Sequence, residues 1–395
     1  MGRDAMSAID RIAAFEADLV GIRRDIHAHP ETAFEERRTA DLVAARLAAW
    51  GIEVHRGLAG TGVVGTLRAG SGTRAIGLRA DMDALRVTEQ NEFSHRSRHD
   101  GKMHACGHDG HTTMLLGAAR YLAETRAFDG VVHFIFQPAE EVEGGGRVMV
   151  EEGLFERFPV EAVFGMHNWP ALPAGQFGLR AGPMMAGSNT FEITVSGRGA
   201  HAAMPHQGVD SLVAGSALVQ ALQTLASRNA DPLESAVVSV TQFHGGDAWN
   251  VIPAEAVIRG TTRAFTPGIQ DLLEDGMRRI CEGTAATYGC RIALRYLRNY
   301  PPLVNSPAEA RVARGVLEGL VGAENVQWDC APTMAAEDFA FMLQARPGCY
   351  VFIGNGRGAE GGGLHNPRYD FNDSILALGA SYWARLVERC LAAAS

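Results

Sequence analysis

Residues 112–141, TTMLLGAARYLAETRAFDGVVHFIFQPAEE, carry the pattern that decides the fold. From Thr112 to Thr125 apolar side chains return every three or four positions, the period of a helix. After Asp129-Gly130 the short apolar run Val131–Phe136 stops at Gln137-Pro138, as a strand buried on both faces does. The alternation extends outward in both directions. Upstream, Val63–Leu67 and Ile76–Leu78 are short apolar runs bounded by Gly, Pro or Asp, and downstream Ala162–Met166 repeats the pattern. The first fifty residues read as helix, with apolar residues at helical spacing through Ile12, Phe15, Leu19, Ile22 and Ile26 and again from Leu42 to Trp50. Helices alternating with buried strands predict an α/β domain around a central, largely parallel or mixed sheet.

Near Gly182-Pro183 the texture changes. A strand at Phe191–Val195, a helix at Val209–Ala226, strands at Ala236–Phe243 and Ala254–Thr262, a helix at Ile269–Ala286 and a strand at Arg291–Leu297 follow in the order βαββαβ of a ferredoxin-like unit. After Tyr300-Pro301-Pro302 the first texture resumes, with helices at Ala308–Leu320 and Glu337–Gln344, a strand at Tyr350–Ile353 and a last helix at Asp373–Leu391. The expected organisation is one α/β domain (1–184 and 299–395) interrupted by an inserted small domain at 185–298.

Composition narrows the function. A chain of 395 residues exceeds the usual single core, which agrees with two domains. Acidic residues outnumber basic ones for a net charge of −9, and no Lys/Arg-rich block interrupts the chain, so neither nucleic acid nor a membrane surface is an expected partner. The first twenty residues mix charges with apolar residues and no later run reaches membrane-spanning length; a cytoplasmic location is the expectation. Six cysteines without a C-x-x-C pair read as reduced thiols.

Four stretches carry chemistry. His104-Ala105-Cys106-Gly107-His108-Asp109-Gly110-His111 enters the helix at Thr112, and a thiolate and an imidazole two residues apart on a glycine-interrupted loop suit a borderline-soft divalent metal. Read alone, Cys106 also fits a small buried hydrophobe and the histidines fit polar loop residues. Gln137-Pro138-Ala139-Glu140-Glu141 places adjacent carboxylates at the carboxyl end of a strand, where open α/β sheets hold their sites; a solvated acidic loop is the other reading. His167 in Met166-His167-Asn168-Trp169-Pro170 and His365 in Leu364-His365-Asn366-Pro367 follow further strands, and each read singly fits a loop or core histidine. Together Cys106, His108, Glu141, His167 and His365 supply ligands for two metal ions.

The motifs HACGHDGHTTMLLGAA, QPAEEVEGGG, GMHNWP, GRGAHAAMPH, NVIPAEA, AAEDF and GLHNP, in this order along nearly the whole chain, resemble the hippurate hydrolase, aminoacylase and auxin-amide hydrolase group of dinuclear metallopeptidase-type amidohydrolases. The resemblance implies that Cys106, His108, Glu141, His167 and His365 ligate two divalent ions, Zn²⁺ or Mn²⁺ first and Co²⁺ or Ni²⁺ as alternatives. It implies that Glu140 is the general base, that the inserted domain is a lid that mediates a homodimer, with a tetramer open, that His201 stabilises the oxyanion from the partner subunit, and that Asn250 hydrogen-bonds the substrate. The implied activity is hydrolysis of the amide bond of N-acyl-L-amino acids, hippurate-like, N-acetyl or aryl-acyl, to a carboxylic acid and a free amino acid. A narrow deacetylase, for instance of N-acetyl-diaminopimelate, a dipeptidase, and a metal-dependent binding protein without catalysis are the alternatives.

Other residues imitate or border a site. His27 and His29 lie two apart in a helical pattern and point to different faces, so they are expected to be structural. Asp81 and Asp83 share a face after a strand, where wider relatives carry a His ligand; Asp81 is expected to support a ligand instead of being one. Glu337-Asp338 lies near the site by the resemblance, and a helix start is its equal reading. Gly354-Asn355-Gly356-Arg357-Gly358 has dinucleotide-loop spacing, but no helix follows, and it is expected to be a flexible connector presenting His365.

Overall fold

The structure, a computed structural model, describes residues 8–142, 144–356 and 362–393. The chain divides into two compact units, Met1–Met184 with Val304–Ala331 and Asp338–Ser395, and Met185–Leu303 with Pro332–Glu337. The return from the second unit thus falls at Val304, five residues after the expected 299, and the short segment Pro332–Glu337 also goes with the second unit. The glycine-rich connector expected over Gly354–Gly358 lies outside the described residues at 357 and 358.

The first unit is built on an eight-stranded mixed sheet. Its first six strands are β1 (Glu53–Leu58), β2 (Gly62–Ala69), β3 (Ala75–Asp81), β4 (Gly130–Gln137), β5 (Ala162–Trp169) and β6 (Phe177–Leu179), and the spatial order is β1-β2-β4-β3-β5, then Gly348–Gly354, β6 and Val326–Trp328. The strands from β4 through β3 and β5 to Gly348–Gly354 run parallel, while β1 and β2 close one side antiparallel. Every residue of β3 and β4 is buried, which is why each is mostly apolar, its polar members Arg79, Asp81, His133 and Gln137 buried with the rest. Helix His108–Thr125 packs beside the terminal helix Leu376–Cys390; at Gly117 a side chain would meet Ala380 Cβ at 2.9 Å, so the glycine permits the close approach. Two short helices, Gly145–Glu151 and Leu154–Arg157, follow the acidic loop; the glycines and acids of that segment hid them from a periodicity reading.

The second unit is a four-stranded antiparallel sheet in the order Ala236–His244, Glu255–Ala264, Gly187–Ser196, Arg291–Tyr300, with helices Ser211–Thr224 and Pro267–Tyr288. Counted along the chain the strands lie 2-3-1-4, the ferredoxin-like arrangement that the βαββαβ pattern predicts. Leu218, Leu222, Ile193, Ile258, Leu273 and Met277 form its separate core. Among the described residues no helix is long and apolar enough to cross a membrane.

Candidate metal centre

The carboxyl ends of β3, β4 and β5 converge on one point, where a parallel sheet leaves a crevice. β3 ends at Asp81 and leads to Asp83, β4 leads through Pro138-Ala139 to Glu140 and Glu141, and β5 carries His167. Facing them is the amino end of helix His108–Thr125, preceded by Cys106 and Gly107. The chain turns there at Gly107 with φ +90°, and a side chain at that position would strike Asn168 Nδ2 at 2.3 Å and Tyr369 Oη at 2.6 Å, so only glycine passes. His365, also left-handed at φ +64°, is tied to the same loop by its amide, which donates to Ala105 O at 2.8 Å.

The five residues expected as ligands come together. Donor atoms of Cys106, His108 and His167 lie within 4.8 Å of one another, as do those of Cys106, Glu141 and His365, and those of His108, Glu140 and Glu141. Cys106 Sγ lies 3.3 Å from His167 Nε2, and His365 Nε2 lies 3.3 Å from Glu141 Oε2. Cys106, His108, Glu140 and His167 are buried, whereas His365 is about half exposed.

The surrounding hydrogen bonds set which nitrogen each imidazole presents. His167 Nδ1 donates to Asn168 O at 2.6 Å, which leaves Nε2 bare toward Cys106. His108 Nδ1 donates to Asp83 Oδ1 at 3.2 Å, and its Nε2 and Glu141 Oε1, 3.8 Å apart, are buried without a hydrogen-bond partner. Orphaned donor-acceptor atoms at the centre of such a cluster are costly unless a cation takes them. Burial, with Glu141, Glu140 and Asp81 nearby, pushes the Cys106 thiol well above the ordinary range, and burial, with His111 beside it, holds His167 well below. Burial opposes protonation of His108, yet Asp81, Asp83 and Glu141 outweigh it and lift its pKa to about 10. Three imidazoles, a thiol and a carboxylate, with the second carboxylate of Glu140 beside them, fit divalent ions of the borderline class.

Supporting residues fix these groups in place. Asp83 accepts from the amides of Glu140 (3.0 Å) and Glu141 (3.1 Å) besides holding His108. Asp81 takes Arg79 Nη1 at 2.7 Å and His111 Nδ1 at 2.6 Å, and His111 Nε2 accepts from the Asn168 amide, so His111 is engaged at both nitrogens and Asp81 acts as a support. Arg79 also reaches Gln137 and Asp338, and Asp338 takes the Gly146 amide at 2.7 Å. Asp338 thus stands behind the acidic loop and also opens helix Phe339–Ala345, so the two readings hold together. Sequence reasoning did not find Arg79, Asn168 or Tyr369; of these only Asn168 had a visible cue, its place beside His167. His27 proves structural, lying 2.8 Å from Asp109 and 3.2 Å from Glu89.

His201 and Asn250 belong to the second unit. They meet on a two-stranded ribbon in which His201 pairs with Val251 and the Ala202 amide donates to Asn250 O at 3.0 Å. Both side chains are exposed. The Ala203 amide donates to His201 Nδ1 at 3.1 Å, so the neutral ring carries its proton on Nε2 and offers an outward donor.

Comparison with known proteins places this geometry among relatives. Residues 77–389 match the peptidase family M20/M25/M40. The chain is 42% identical over 386 residues, 98% of its length and 100% of the relative's, to the hippurate hydrolase of Campylobacter jejuni. It is 42% identical over 380 residues, covering 94% of this chain and 86% of the relative, to the IAA-amino acid hydrolase ILR1-like 4 of Arabidopsis thaliana. The crystal structure of a dinuclear metal binding peptidase of the M20 family from Bacillus subtilis superposes with a TM-score of 0.84 at 34% identity, covering 96% of this chain and 99% of that one.

Proposed function

Because the chain belongs to the peptidase family M20/M25/M40, we propose that it hydrolyses the amide bond of N-acyl-L-amino acids, with aromatic acyl groups such as benzoyl preferred. The observation that carries the reading is the convergence of Cys106, His108, His167, Glu141 and His365, with His108 Nε2 and Glu141 Oε1 left without a hydrogen-bond partner, beside a second carboxylate, Glu140. A site built only to hold metal needs no such neighbour. Relatives of full length named for hippurate and for IAA-amino acid hydrolysis support the substrate class.

Cys106, His108, Glu141, His167 and His365 would hold two divalent ions, Zn²⁺ or Mn²⁺ before Co²⁺ or Ni²⁺. When bound, such ions lower the pKa of water toward ~7 and polarise a carbonyl. Glu140, buried and with Oε1 3.4 Å from the Asp338 amide, receives the proton of the attacking water and passes it to the leaving amine. His201 Nε2–H, supplied by the partner subunit of a homodimer joined through the second unit, donates to the developing oxyanion, and Asn250 beside it holds the substrate. Trp169, half-buried two residues from His167, stacks on Phe352 at 4.2 Å and presents an aromatic face that suits an aryl acyl group.

Metal analysis together with a hydrolysis screen of hippurate, indole-acetyl-Ala, N-acetyl-Phe, N-acetyl-Met and N-acetyl-diaminopimelate tests the proposal. About two metals per chain, turnover abolished by chelator and a lead for the aromatic acyl substrates are expected. Turnover that survives complete metal removal would refute the mechanism, and a strict preference for one acetylated amino acid would assign the narrow deacetylase.

A further inference from the structure

We propose that Glu36 is a positioning residue for Glu140, holding the loop that carries it in an otherwise unfavourable backbone conformation. The inference rests on the reading of Glu140 as general base.

Glu36 stands at the N-cap of helix Arg37–Ala49, a position from which a short acidic side chain would bond the first free amides of the helix. It does not, because those amides are already taken: Arg38 N and Thr39 N donate to the two oxygens of Glu31, each at 2.9 Å. The fully buried Glu36 side chain is thereby released to reach elsewhere. Its Oε1 accepts from Phe34 N at 3.0 Å and from Ala139 N at 2.9 Å, and its Oε2 from Thr61 Oγ1 at 2.7 Å. Phe34 and Ala139 both sit at positive φ, +60° and +55°, a region that side-chain-bearing residues avoid. One carboxylate oxygen thus gathers two left-handed residues, and the second of them immediately precedes Glu140.

The consequence for Glu140 follows from the chain. The three consecutive amides of residues 139, 140 and 141 are held by two buried carboxylates, Glu36 for the first and Asp83 for the other two. Just behind them, the Ala139 carbonyl accepts from Gly145 N at 2.9 Å, and a side chain at Gly145 would lie 1.8 Å from Pro138 O. If the Glu36 bond is lost, Ala139 keeps the cost of φ +55° with one fewer hydrogen bond to offset it. Relaxation of that one residue shifts the segment leading into Glu140 and so its carboxylate, within the limits set by Asp83, which still tethers the amides on either side of the Glu140 Cα. The loop shifts without dispersing the metal ligands.

The test is steady-state kinetics on the metal-loaded protein with hippurate, with metal content and melting temperature measured in parallel. Glu36→Ala is expected to lower kcat about 10²-fold with KM within about threefold of wild type and metal content unchanged. Glu36→Gln, whose amide oxygen still accepts from Ala139 N, is expected to recover most of that loss. Thr61→Val removes the other oxygen's partner and should leave kcat near wild type. In an Ala139→Gly background, where the residue adopts positive φ without help, the Glu36→Ala loss should shrink. Should Glu36→Ala not fold, Glu36→Asp withdraws the carboxylate by one methylene and is expected to lower kcat in the same way. Wild-type kcat in Glu36→Ala or Glu36→Asp, or equal losses in Thr61→Val, would overturn the proposal. Glu140→Gln separates the two levels: turnover retained there removes the base assignment, whereas a dead Glu140→Gln beside an unimpaired Glu36→Ala removes only the positioning role.

Discussion

Replacing His27 with Gln should flatten the loss of stability that the first unit suffers in mildly alkaline solution. The His27 ring is fully buried between Asp109 Oδ2 and Glu89 Oε1, with Arg23 also reaching Asp109 at 3.6 Å. Burial alone would lower its pKa, but the two carboxylates outweigh it and raise the value to about 9 from 6.5. A raised folded-state pKa means that the stabilisation is complete below the unfolded value and drains away as pH rises toward the folded one. The difference corresponds to about 3 kcal/mol present at about pH 6 and gone by about pH 9.5. Asp109, held below its ordinary value by His27, works in the opposite window, losing its contribution only as the solution becomes strongly acidic. A glutamine in place of His27 would still donate a hydrogen bond to Asp109 but cannot titrate. Urea unfolding followed at the two pH values, with chelator present so that metal binding adds no proton linkage of its own, should show wild type losing about 3 kcal/mol more than His27→Gln between them. Parallel losses in the two proteins would show that His27 is neutral in the folded state and that the ion-pair account is wrong.

Cys106→Ser should lower metal content below the wild-type value in elemental analysis, since it replaces the softest ligand of the cluster; full occupancy would mean that Cys106 is not a ligand. His201→Ala should reduce kcat about 10²- to 10³-fold with metal content unchanged, and near-normal turnover would remove the donor role in trans. Asp338→Ala strips Arg79 and Gln137 of a shared buried partner and should destabilise the first unit by about 3–5 kcal/mol, read as a lowered melting temperature; an unchanged melting temperature would show that Arg79 finds compensation elsewhere.

The parts of the site that could be read in the sequence are those in which local pattern and position coincide. Glu140, Glu141 and His167 could be located because each follows an apolar run, and strand ends in an open α/β sheet meet on one edge whatever the intervening chain. Cys106 and His108 were legible from their spacing across a glycine. The second unit was equally legible, since its strands and helices alternate at regular intervals and its βαββαβ order admits few arrangements. The bonds of the supporting shell were not legible, because its members find each other across distances that no local period encodes. Arg79 and Asp338 are 259 residues apart, and Glu36 and Ala139 are 103 apart.

Glu36 shows why this blindness is physical. In sequence it is one of two adjacent glutamates before a helix, where an acid is expected only to favour the positive end of the helix dipole. The cap is instead made by Glu31, five residues earlier, and only because that position is filled does Glu36 have a free carboxylate for Ala139. A residue's role here is decided by which carboxylate takes the nearest donors: Glu31 holds the amides at the helix start, and Glu36, across the left-handed turn at Phe34, holds Ala139. Local rules name the groups able to make a bond; the fold decides which of them is left over to serve the chemistry.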